Sequence, residues 1–158
     1  MASGKLQHEI GKKKPFESLE EEALLNLLRT NDQTGIVFSR LFRQHGLTSA
    51  QYNILRILRG EGKPLPSLEI AQRTVKVVPG ITGLIDRLEK LGFVERERSQ
   101  EDRRVVYVAI TKKGLGVLSK IDRPLKAAHE SLLGHMTRKE WRQLVRLLEK
   151  VRERCETE

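Results

Sequence analysis

A chain of 158 residues is long enough to bury a core, and with 38% hydrophobic and 32% charged positions it contains no run near the roughly 20 apolar residues of a membrane helix. A single cysteine, Cys155, excludes an internal disulfide, while 4% aromatic content beside abundant Leu, Glu, Lys and Arg favours helices over sheets. The formal charge of +9 points to a polyanionic partner, and the lack of a signal-type apolar segment makes the cytoplasm the expected compartment, with no membrane partner.

In chain order, residues 1–15 are polar, lack a helical stripe and hold Lys12, Lys13 and Lys14 before Pro15, so a mobile arm is expected up to about residue 16. Ser18 and Glu21 have capping-box spacing. They open a long first helix whose Leu24, Leu27, Leu28, Val37, Phe38, Leu41 and Phe42 share one face as far as His45 and Gly46, with a weak point at Gly35. Thr48 and Gln51 form a second such box, opening a helix with Tyr52, Ile54, Leu55 and Leu58 inside and with Gly60 and Gly62 at its end.

Pro64 and Pro66 interrupt the helix, and a new start falls at Pro66 or Ser67. A short helix over residues 68–73 then leads into a turn over 74–78. Pro79 and Gly80 begin the next helix, in which Ile81, Leu84, Ile85, Leu88 and Leu91 paint one side and Thr82, Asp86, Arg87, Glu89 and Lys90 the other. Gly92 stops it, as a left-handed residue just past the last apolar position. Residues 93–98 and 105–110 are rich in strand formers and predict a two-stranded hairpin with its tip at 99–104. Thr111 caps a further helix with Leu115, Leu118, Ile121, Leu125, Ala128 and Leu132 on one face and a kink or break predicted at Pro124. After a loop at 134–136, Thr137 and Glu140 make a third capping box ahead of a final helix carrying Trp141, Leu144, Val145, Leu148 and Val151.

Short helix, turn, amphipathic helix and hairpin, in that order, are the layout of a winged helix-turn-helix: a mainly α fold with a small β wing. A helix of this kind fits the major groove with its N-terminal residues nearest the bases. That makes Pro79, Gly80, Thr82 and Gly83 the closest approach, with Thr82 the best reader because its hydroxyl donates or accepts and its methyl can touch thymine. Arg87 is read as a phosphate clamp, and Ser67 and Arg73 as candidate phosphate contacts. The alternative for Thr82 is a plain solvent-facing position. Charge is distributed unevenly: between residues 86 and 111 the basic Arg87, Lys90, Arg96, Arg98, Arg103 and Arg104 are matched by Asp86, Glu89, Glu95, Glu97, Glu101 and Asp102. The surplus lies in the N-terminal lysines and in residues 112–154. Catalysis has no motif to carry it: there is no glycine-rich phosphate loop, no paired nucleophile and base, and no His-Glu-x-x-His. His8, His45, His129, His135 and Cys155 lack metal-site spacing, so no catalytic residue, metal or cofactor is expected.

The run IDRLEKLGFVER at 85–96, followed by EDRRVVYVAITKKG at 101–114, resembles the MarR family of bacterial transcriptional regulators. In that family an Asp-x-Arg element closes the wing and Leu/Ile-Thr-x-x-Gly begins the next helix, matched here by Asp102 and Arg104 and by Ile110, Thr111 and Gly114. The resemblance spans roughly residues 17–154. It implies one domain over 17–158, with 17–46 and 112–154 forming dimerisation helices around a DNA-binding part at 48–111. It further implies a homodimeric repressor on an inverted repeat, with Arg104 entering the minor groove, steadied by Asp102, and Arg103 and Arg98 as further candidates. Many relatives carry arginine or lysine where this chain has Gly83. The resemblance also implies a small phenolic or carboxylate effector, bound between the first two helices and the start of the helix after the wing. The other readings are an architectural DNA-binding protein without an effector and a protein-interaction module on a winged-helix scaffold.

Overall fold

The computed structural model describes residues 4–76, 79–99 and 105–155. The elements follow in the order α1 (Lys5–Glu9), α2 (Leu19–Arg43), α3 (Ser49–Glu61), β1 (Leu65–Pro66), α4 (Ser67–Gln72), α5 (Ile81–Lys90), β2 (Val94–Arg98), β3 (Val106–Ile110), α6 (Lys112–Leu133) and α7 (Arg138–Arg152). The protein is a winged helix-turn-helix, mainly α with a small antiparallel sheet.

Burial of the apolar stripes decides how these helices pack. α3 lies at the centre, with Tyr52, Ile54, Leu55, Ile57 and Leu58 all buried. Against it come Leu41 and Phe42 of α2, Ile70 of α4, Ile85 and Leu88 of α5, Val94 and Val108 of the sheet, and Leu118 and Ile121 of α6. Each such side chain contributes about 1.5–3 kcal/mol through removal from water. α5 is therefore mounted by its inner face on a core that includes every element of the winged unit.

Several expectations are corrected. Among the described residues the sheet has three strands, in the order β1-β3-β2, because Leu65 and Pro66 pair with Val108 and Tyr107 ahead of α4. Two residues are too few to show alternation, and proline, having no amide to donate, disguises a strand at a sheet edge. Gly60 lies within α3, and Gly62 alone caps it in a left-handed conformation (φ 71°). Pro79 precedes α5 and Gly80 is its N-cap, so the proline stands outside the helix. α6 runs through Pro124 without a break. Pro124 and Lys120, whose carbonyl the ring deprives of a helix partner, are both exposed, so the break in the ladder falls on the solvent side of the helix. The segment read as an arm holds α1, whose Leu6 is 3% exposed, and Lys12 reaches Glu21 at 3.7 Å.

The capping boxes at Thr48 and Thr137 are reciprocal, as the spacing predicts. At Ser18 only half forms: its hydroxyl accepts from the Glu21 amide, while the Glu21 carboxylate takes the Glu17 amide at 2.7 Å. α7 has no buried residue, and its tie to α6 is the Trp141 indole, which donates to the Leu133 carbonyl at 2.9 Å. Leu24 and Leu28 of α2 and Val145 and Val151 of α7 are exposed in the single chain. No helix among the described residues is long and apolar enough to cross a membrane.

Candidate nucleic-acid interface

Ile85 and Leu88 are fully buried, which turns Thr82, Gly83 and Arg87 to the outside of α5. Gly80 at the N-cap has φ 73°, a conformation that side chains resist, and no side chain caps the helix start. With no cap from Gly80 itself, the start of α5 is suited to water or an anion. Arg87 is exposed, and no carboxylate lies within 4.0 Å of it among the described residues. The far end of the helix is locked differently. The Phe93 amide bonds the Leu88 carbonyl at 2.9 Å and the Gly92 amide the Glu89 carbonyl at 2.8 Å, a Schellman closure that requires the left-handed Gly92. Leu91, expected on the inner stripe, is the C-cap of α5 and is 40% exposed.

The preceding helix presents Ser67, half-buried, at its first position. Arg73, read as a phosphate contact, is held by carboxylates of its own chain: Nη1 donates to Glu61 at 2.6 Å and Nη2 to Glu69. This contact, with a smaller one from Lys63, holds the Glu61 carboxyl below its ordinary range. Pro79 and Gly80 are exposed beside Arg87 and Gly83 and line one shallow groove with Lys76.

In the wing, β2 and β3 pair from Val94 and Ile110 to Arg98 and Val106, and the Ser99 amide closes on the Val105 carbonyl at 3.0 Å. Arg98 is exposed at the tip end of β2. Asp102, Arg103 and Arg104 lie outside the described residues. What the sequence did not reveal is the joint between wing and reading helix. Arg96 of β2 donates to Asp86 at 2.5 Å and to Glu89 at 2.6 Å, both on α5. The acids stand three residues apart on the polar face of α5, a visible spacing, but their partner lies in a different element. A second joint is local to the base of the wing: Lys113 donates to the Leu91 carbonyl at 2.7 Å, at the C-terminal end of α5 where a cation is favoured.

A cleft of about 400 Å³ opens between α2, α3 and α6. It meets α6 at the middle of that helix, at Leu125 and His129. Tyr52 stacks on Phe42 with ring centroids 4.1 Å apart, and His129 meets the edge of Phe38 at 5.6 Å. Burial pushes the Tyr52 phenol above its ordinary value, so it stays a neutral hydroxyl. Arg56, at the cleft rim, is steadied by Asn53 Oδ1 at 3.2 Å and has no carboxylate within 4.0 Å among the described residues.

A helix with one face anchored in a core, the other free, and a β wing bonded to its polar side defines a winged-helix DNA-binding protein. A family model described as the MarR family matches residues 45–105. The MarR transcription factor from Planctomyces limnophilus is 43% identical, with 85% of this chain and 98% of that one covered and a TM-score of 0.67. The homoprotocatechuate degradative operon repressor of Escherichia coli is 27% identical over 131 residues, 83% of this chain and 88% of its own length. The organohalide-sensing RdhR transcriptional regulator, in its 2,4-dichlorophenol-bound form, shares the fold at 18% identity, with 90% and 87% covered and a TM-score of 0.79. The chain belongs to the MarR family of DNA-binding transcriptional regulators.

Proposed function

We propose that the protein is a homodimeric repressor that reads an inverted-repeat operator and is released by a small phenolic or carboxylate effector. The observation that carries the DNA reading is the mounting of α5. Buried Ile85 and Leu88 fix its inner face and leave Thr82, Gly83 and Arg87 for the major groove, with Pro79, Gly80 and Ser67 beside them. Thr82 reads a base edge and Arg87 holds a phosphate. The wing follows into the minor groove through Arg104, with Asp102 orienting it and Arg103 and Arg98 adjacent. Arg73, engaged by two carboxylates, is the weaker phosphate contact.

Dimerisation is supported by the apolar faces that a single chain leaves wet. Leu24, Leu28, Val145 and Val151 are 55%, 55%, 54% and 47% exposed. At about 25 cal/mol per Å² their burial against a second copy is strongly favoured. In this reading residues 17–46 and 112–154 make the dimer and 48–111 read the DNA. The effector occupies the cleft of Tyr52, Phe38 and His129, where aromatic rings receive a ring and Arg56 receives an anionic group. The RdhR regulator, bound to 2,4-dichlorophenol, and the operon named for an aromatic compound make this ligand class the natural first choice.

Selection of binding sites from a random duplex library at near-physiological salt tests the reading. The expected product is an inverted repeat with half-site centres roughly one helical turn, about 10 base pairs, apart. Weak binding without enrichment would overturn it in favour of an architectural role or of a protein-interaction role, the second of which the balanced charge of the reading head favours and the tip arginines disfavour.

A further inference from the structure

Arg96 is not among the residues assigned to bases or phosphates, yet among the described residues it is a side chain by which the wing grips the reading helix. Its side chain is only 23% exposed. Nη1 donates to Glu89 Oε2 at 2.6 Å, and Nη2 to Asp86 Oδ1 at 2.5 Å and to the Thr82 carbonyl at 3.4 Å. All three acceptors belong to α5, whereas Arg96 sits mid-strand in β2, opposite Val108. A planar guanidinium that meets two carboxylates through separate nitrogens fixes direction as well as distance, which a single ammonium does not. The contact also fixes register: sliding β2 by two residues shifts the guanidinium by roughly 7 Å and breaks every one of these bonds.

We propose that Arg96 is a positioning residue for DNA reading, holding the wing and α5 at one mutual orientation so that major-groove and minor-groove contacts are made by a single rigid head. The proposal rests on the DNA-reading function above. Arg96 also neutralises Asp86 and Glu89 on the helix that carries Thr82 and Arg87, so that neither carboxylate faces the phosphates alone.

Two measurements test it, the first without DNA. Hydrogen exchange of the free protein compares the wild type with Arg96→Gln and with the Asp86→Asn/Glu89→Gln double variant, which dissolves the clamp from the helix side and leaves β2 intact. Peptides covering Val94–Arg98 and Val106–Ile110 exchange roughly tenfold faster in both variants, with Arg96→Lys between and α3 unchanged. Unaltered hairpin exchange in the double variant overturns the proposal. The second measurement uses the duplex selected by the wild type and the same duplex with the base pairs flanking each half-site core, where the wing lands, replaced by G·C pairs. Both clamp variants lose about fivefold or more of the flank discrimination and keep discrimination against altered core bases. Flank and core discrimination falling together indicates a merely structural role and also overturns it. A wild type that enriches no site removes the DNA reading itself, and the exchange comparison still decides the clamp.

Discussion

The hydroxyl of Thr111 donates to the Gly92 carbonyl at 2.7 Å and accepts from the Gly114 amide at 3.1 Å, so one oxygen caps α6 and ties its start to the residue that ends α5. The Thr111 amide adds a bond to the Phe93 carbonyl at 3.0 Å. Thr111→Val keeps the shape and removes both hydroxyl bonds, and is expected to lower stability by about 1–2 kcal/mol in a denaturant titration. Thr111→Ser keeps the bonds and stays within a few tenths of the wild type. Equal stability of the two variants would mean that the hydroxyl bonds contribute nothing.

Gly114 is required for a different reason. A β-carbon there would stand 2.3 Å from the Phe93 carbonyl oxygen and 2.8 Å from Ile110 Cγ1, and the first of these is backbone that cannot swing away. Gly114→Ala should destabilise by about 1–3 kcal/mol. Gly116, two positions on in the same helix, has nothing within 4 Å of such an atom, so Gly116→Ala should stabilise by up to about 1 kcal/mol through helix propensity. Thermal melts of the pair check both signs in one experiment.

On the selected operator, Thr82→Ala and Arg87→Ala should fail in different ways. Loss of Thr82 weakens binding by about 1–3 kcal/mol and relaxes preference at one base pair per half-site. Loss of Arg87 weakens all sequences alike and reduces the slope of log affinity against log salt by about one per protomer. Titrations at several salt concentrations separate the two. A shared pattern would contradict the division between base reader and phosphate clamp.

Val145→Glu places a charge in the middle of the uncovered face of α7. Sedimentation should show dimer association weakened by at least about tenfold, since burying an unpaired carboxylate in an interface is strongly unfavourable. Far-ultraviolet circular dichroism should remain unchanged, because Val145 is 54% exposed on a helix with no buried residue.

In the cleft, Arg56→Ala removes the cation and leaves the aromatic walls. Calorimetric binding of a phenolic carboxylate should weaken by about tenfold or more, while binding of the corresponding neutral phenol changes little. Equal losses for both ligands would place the anionic group elsewhere.

Apart from α1, which lies in the segment read as an arm, the helices were readable in the sequence because their signals are local: the spacing of Ile81, Leu84, Ile85 and Leu88 already contains the inner face of α5, and Thr48 with Gln51 contains the cap of α3. What could not be read depends on distant partners. β1 exists only because Val108 and Tyr107 offer it an edge, and Arg96 joins acids seven and ten residues earlier in another element. Arg73 was legible as an exposed cation but not as one claimed by Glu61, since that pairing is made across the β1 segment. Within the candidate site, spacing put Thr82 and Arg87 on the outer face of α5, where both are exposed, whereas the Arg96 ion pairs that join that face to the wing come from another element.

Gly83 gives the protein latitude to change its target. The position is exposed on the reading helix, and a β-carbon there would meet nothing within 4 Å. A glycine inside a helix forgoes roughly 0.5–1 kcal/mol relative to alanine, so almost any side chain introduced there brings a helix gain along with new chemistry. One base change in a glycine codon yields arginine, the commonest reader of guanine in the major groove. The scaffold can thus acquire a different operator without repacking its core, and a family of such proteins can diverge in what it recognises faster than in how it folds.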